Sequence, residues 1–121
     1  GALWGFVSRP LPAFAIHFAA IWVWHIPAAY GATVSSALLH SLQHASFLGT
    51  ALLFWWTTLR PAAARRERGA ALFYIFATAV HTSILGALLA FSNTPWYPVY
   101  AETTAAWGLT PLEDQQLGGV I

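Results

Sequence analysis

Apolar residues fill three long runs, and polar residues fall mostly between them. Residues 12–30, 37–59 and 70–91 each read as a helix with few polar positions. At 1.5 Å per residue these runs reach roughly 28, 34 and 33 Å, which suits a bilayer core. Ser8-Arg9-Pro10-Leu11-Pro12 breaks the chain before the first run, and Gly31 to Ser36 reads as a turn after it. Pro27 should kink or end the first helix near Val23–Trp24, because it lacks an N–H and its ring clashes with the preceding turn. Residues 60–69 form a charged loop and residues 92–110 an aromatic-rich segment along the membrane surface. Thr110-Pro111-Leu112-Glu113 then reads as a helix start, with Thr as N-cap, Pro at the first position and Glu closing a capping box. It opens a further span over residues 111–121, while residues 1–8 read as the tail of an earlier membrane helix. The expected fold class is all-α: a polytopic transmembrane helix bundle with three complete spans plus partial helices at both ends. It forms one membrane domain, a fragment of a longer protein.

Composition strengthens that picture. Hydrophobic residues make up 58% of the chain and charged residues 7%, too few charges for a water-soluble surface. The net charge is +1 with no basic face, which excludes nucleic acid as a partner. Four of the arginines cluster between Arg60 and Arg68. The positive-inside rule puts that loop in the cytoplasm, and Arg9 falls on the same side after two crossings. The segment 92–110 is then extracytoplasmic. Cysteine and methionine are absent, so disulfides and sulfur ligands are excluded and any metal must bind imidazole, carboxylate or backbone oxygen.

The polar exceptions inside the apolar runs carry the candidate chemistry. Leu39-His40-Ser41-Leu42-Gln43-His44 places two histidines four residues apart, hence on one helix face. Ionisable groups at membrane depth are costly unless they meet a partner, a cavity or a metal. Counting from the cytoplasmic end of each span, His25, His44 and His81 lie about 20, 22 and 17 Å up, with His40 one turn higher at about 28 Å. Three helices thus bring a histidine to one level in the outer half, and the His40–His44 pair is expected to face the first and third spans rather than lipid. Imidazole suits copper, zinc, iron and nickel. Asp114, entering from the same side, is a further ligand or an orienting partner, whereas Glu113 is expected to cap its helix. The blander alternative is a histidine bonded only to a backbone carbonyl or a neighbouring Ser or Thr; His17, about 8 Å up and off the common level, suits it best. Gly86-x-x-x-Ala90 and Ala45-x-x-x-Gly49 are spacings that permit close helix contact. No phosphate loop, His-Glu-x-x-His or Gly-x-Ser-x-Gly motif occurs, so no enzyme is expected.

Three stretches together resemble a known family. They are Trp24-His25-Ile26-Pro27-Ala28-Ala29-Tyr30; Leu39-His40-x-x-x-His44-x-x-Phe47 with Phe54-Trp55-Trp56; and Leu85-Gly86-Ala87-Leu88-Leu89 through Tyr97-Pro98-x-Tyr100-Ala101 to Trp107-Gly108-Leu109-Thr110-Pro111-Leu112-Glu113-Asp114-Gln115-Gln116-Leu117-Gly118-Gly119. In order and spacing they resemble the CtaG family of bacterial cytochrome c oxidase assembly proteins, across nearly the whole chain. The resemblance implies a multi-pass protein of the bacterial plasma membrane that helps mature an oxidase, most plausibly by supplying or inserting copper. It implies cytochrome c oxidase subunits and a periplasmic copper chaperone as partners beside the lipid bilayer. On this reading His25, His40, His44 and His81 are copper ligands, with Asp114 as ligand or orienting group. Two other readings fit the residues: a membrane cytochrome with haem between His44 and His81, and a structural oxidase-associated subunit whose histidines only pack.

Overall fold

The computed structural model describes residues 1–60 and 65–121. Its elements are α1 (Ala2–Val7), α2 (Pro10–His25), α3 (Pro27–Ser35), α4 (Ala37–Leu59), α5 (Arg65–Phe91), a single 3₁₀ turn (Pro98–Tyr100), α6 (Ala101–Ala105) and α7 (Pro111–Val120). The described residues contain no strand, in keeping with the all-α expectation.

Proline punctuates the chain as its chemistry requires. Pro10 opens α2 behind an extended Arg9. Ile26, the residue before Pro27, is also extended (φ −58°, ψ 129°), the conformation that a following proline imposes. The first expected span is therefore two helices, α2 and α3, bent by 72° at the break. The turn expected over Gly31 to Ser36 is helical as far as Ser35. Ser36 caps α4, its hydroxyl accepting from the Leu39 N–H at 3.3 Å. The third helix starts at Arg65 rather than at Ala70. Of the expected charged loop over residues 60–69, residues 61–64 lie outside the described residues.

Among the described helices, the stretch Arg68–Phe91 is long and apolar enough to cross a membrane, and the bent α2–α3 pair is a second candidate if it counts as one span. The 23 residues of α4 are long enough, but His40, Gln43 and His44 dilute its hydropathy and it does not qualify on the same criterion. One or two candidate spans thus stand where three complete ones were expected, consistent with a membrane protein. The surface agrees with that environment. Leu38, Leu42, Leu48, Leu52 and Trp56 of α4 are exposed, as are Leu72, Phe73 and Phe76 of α5. Buried side chains include Gln43, Thr57, His81, Thr104 and Gln115 beside Phe54 and Leu85, a polar interior under an apolar exterior.

Helix α2 packs against α4 and α5, and α7 lies along α5. Trp24 of α2 donates to the Ser46 hydroxyl of α4 at 2.7 Å. Between α5 and α7 the backbones touch. A Cβ on Gly86 would stand 2.7 Å from the Gly119 carbonyl oxygen, and one on Gly119 would stand 2.6 Å from that of Gly86. The Gly86-x-x-x-Ala90 spacing is therefore used, whereas Gly49 of the α4 pattern faces open space. Gln115 pins this contact: its side-chain oxygen accepts from the Trp96 N–H, and its amide donates to the Leu89 and Thr94 carbonyls at 3.3 Å each. Gln116 donates to the Ser92 carbonyl at 3.1 Å.

Candidate functional site

Three chain segments far apart in sequence meet at the end of the bundle where α2 stops and α7 starts. They enclose a cavity of about 180 Å³ lined in part by His25, Tyr30, Tyr97, Tyr100 and Asp114. His25 is the last residue of α2, and the break at Ile26 leaves its ring at the cavity edge. Its Nδ1 lies 2.7 Å from the Ile21 carbonyl oxygen. A carbonyl only accepts, so Nδ1 carries the proton and Nε2 keeps a free lone pair. An imidazole anchored to a carbonyl in this way has the usual posture of a metal ligand. The break also frees the His25 carbonyl, which accepts from the Tyr97 hydroxyl at 2.8 Å.

The tyrosines stack on one another, with Tyr30 and Tyr97 ring centroids 4.4 Å apart and Tyr100 edge-on to Tyr30 at 6.0 Å. Burial first, then the neighbouring Tyr30, pushes the Tyr97 phenol up to about 12. Burial, then a hydrogen bond with Tyr30 that favours the protonated phenol, then the neighbouring Tyr30 and Asp114, raises Tyr100 as well. Both stay neutral and act as donors. Asp114 is available because the helix cap is made elsewhere: the Thr110 N–H and hydroxyl donate to Glu113 Oε2 at 2.8 and 2.9 Å, and the Glu113 N–H donates back to Thr110 at 3.2 Å.

A larger cleft of about 760 Å³ lies between α2, α4, α5 and α7, lined in part by His17, His25, Phe47 and Ser83. His17 Nδ1 sits 3.0 Å from the Thr50 hydroxyl oxygen. The hydroxyl proton of Thr50 goes to the Ser46 carbonyl at 2.7 Å, so Thr50 accepts and His17 also keeps its Nε2 lone pair. Its ring stacks on Phe54 at 5.6 Å.

The expected ligands fall in three places. His25 and Asp114 share the outer cavity. His40 and His44 lie side by side with ring centroids 4.6 Å apart, but both are exposed. Their expected orientation toward the neighbouring spans is corrected: α4 turns Gln43, Phe54 and Thr57 inward instead. His81 is buried against α2, where Trp22 donates to its Nδ1 at 3.2 Å and Phe18 lies at 4.6 Å. In the neutral ring the proton then sits on Nε2, which is buried without a partner. Tyr74 lies beside Phe14 at 5.4 Å, and His81, two turns on, reaches Phe18 and Trp22 of α2. Among the described residues no group of three or more His, Cys, Asp or Glu side chains is poised to hold a metal ion. His17 and the tyrosines were not among the expected site residues, although Tyr30, Tyr97 and Tyr100 stand inside the quoted motifs.

A family model described as cytochrome c oxidase caa3 assembly factor matches residues 1–121. No curated protein and no solved structure matches the chain.

Proposed function

The chain belongs to the cytochrome c oxidase caa3 assembly factor family, and from that premise we propose that it matures the oxidase by holding copper at the outer side of the bacterial plasma membrane. It acts as a carrier, without catalysis, and copper is its cargo. The observation that carries this reading is the convergence of three motif segments on one cavity: His25 and Tyr30, Tyr97 and Tyr100, and Asp114. In this reading the His25 Nε2 and the Asp114 carboxylate bind the ion. The neutral tyrosines close the cavity and shape its mouth. The carboxylate offsets the charge of a cupric ion, and imidazole nitrogen suits copper.

The exposed His40–His44 pair offers a second, solvent- or partner-facing station on α4. It would receive copper from a periplasmic chaperone or pass it to an oxidase subunit. His81 would join the site only after giving up its bond to Trp22. The α2–α3 pair, α4 and α5 are proposed as the crossings of a multi-pass protein. Two of the three polar residues that keep α4 below the hydropathy of a membrane span, His40 and His44, are the ones assigned to cargo.

The haem alternative asks His44 and His81 for two axial nitrogens, yet one ring is exposed on α4 and the other is enclosed by α2 with Nδ1 already bonded. The test is Asp114→Asn in cells, with its membrane abundance checked against wild type. The expected result is an oxidase depleted of copper. Normal oxidase copper at normal abundance of the variant overturns the copper reading.

A further inference from the structure

We propose that Tyr97 is a positioning residue of the copper site: its hydroxyl fixes the main chain of His25 and, through the neighbouring Trp96, sets where His25 stands relative to Asp114. This rests on the copper reading above and names what orders its two ligands.

The ligands reach the cavity on separate helices. His25 ends α2, and Asp114 lies in the first turn of α7. Helix α7 runs along α5, whereas α2 packs on α4 and α5. A tie between the two ligands must therefore come from elsewhere. The break at Ile26 leaves the His25 carbonyl without the donor that a continuing helix supplies, and the Tyr97 hydroxyl takes that place at 2.8 Å. One residue earlier, the Trp96 N–H donates to the side chain of Gln115, the neighbour of Asp114. Two consecutive residues thus hold both helices, Tyr97 by its side chain and Trp96 by its main chain.

The bond from His25 Nδ1 to the Ile21 carbonyl orients the ring on its own helix. It does not fix the end of α2 against the start of α7, and the Tyr97 bond does. Tyr97 is itself held, because its ring stacks on Tyr30 at 4.4 Å and the Tyr30 N–H donates to the Ile26 carbonyl at 2.9 Å. Ligands must be kept within about 0.5 Å of the productive geometry. Loss of a partner that orients a metal ligand weakens metal binding by about tenfold or more.

The test titrates cupric ion into the full chain carrying His40→Ala and His44→Ala, and follows affinity together with the imidazole-nitrogen coupling in the electron paramagnetic resonance spectrum. Adding Tyr97→Phe keeps the ring stack and removes only the hydroxyl. Cupric affinity should fall about tenfold, with an altered nitrogen coupling. Placing 3,5-difluorotyrosine at position 97, which keeps the hydroxyl, should restore both. Phe54→Leu, at a buried position away from the cavity, should lower stability and leave both readouts at the parent's values. Gln115→Asn draws the amide back from Trp96 and covers the case in which Tyr97→Phe does not fold; it should weaken binding in the same way. Parent-like affinity and signal in Tyr97→Phe, or an equal loss in Phe54→Leu, overturn the positioning role alone. A parent chain that binds no cupric ion overturns it together with the copper reading.

Discussion

Replacing Gln115 by leucine tests how the outer cavity is held together. Gln115 is 6% exposed. Its side chain accepts from the Trp96 N–H and donates to the Leu89 and Thr94 carbonyls. Leucine is close in size, so the substitution mainly deletes hydrogen bonds. Three bonds at about 1 kcal/mol each, with some added cost for leaving their backbone partners unsatisfied, put the loss at about 3–4 kcal/mol. The loss should appear locally first, because these bonds tie α7 to the end of α5 and to the segment that carries Tyr97. Thermal unfolding in detergent measures the total. Hydrogen exchange at the Trp96 amide measures the local part, and that amide should lose its protection. A stability change below about 0.5 kcal/mol, within what ordinary surface substitutions produce, together with a protected Trp96 amide would refute the reasoning.

Gly119→Ala places a methyl 2.6 Å from the Gly86 carbonyl oxygen and 2.7 Å from the Ala90 nitrogen; both are backbone, so α7 must move off α5, at a cost of about 1–3 kcal/mol in the same unfolding assay. Trp22→Phe removes the donor to a His81 ring that is 7% exposed and should cost about 1–3 kcal/mol, with the His81 ¹⁵N pattern changing as its tautomer is released. The Tyr97 phenol ionises at about 12 in the fold against an ordinary 10.0. Its contribution to stability is therefore present below pH 10 and lost as pH rises from 10 to 12. Alkaline titration followed by tyrosinate absorbance should show one fewer late-titrating phenol in Tyr97→Phe.

What the sequence disclosed was mostly local. The break at Pro27 and the Thr110–Glu113 capping box follow from backbone chemistry that a few residues settle among themselves. So does the freeing of Asp114, since Glu113 alone completes the cap. The facing of α4 was not legible. Apolar residues surround that helix on all sides, and nothing in its pattern says that Gln43, one residue from His44, is the side chain that turns inward. The partners of His81 were hidden as well: counting residues from Ala70 gave its depth, but not that its ring meets Phe18 and Trp22 of α2. His17 was given the blander reading because it lies near the cytoplasmic end and off the common level, and Thr50 is the hydroxyl partner its Nδ1 meets at 3.0 Å.

The central claim is that His25 and Asp114 hold copper in the outer cavity, and electron paramagnetic resonance of the full chain loaded with cupric ion tests it most directly. With His40→Ala and His44→Ala present, the account predicts one cupric ion per chain whose signal shows coupling to an imidazole nitrogen, and loss of that coupling on His25→Ala. An unchanged signal in the His25→Ala chain, or no bound cupric ion in its parent, would contradict it.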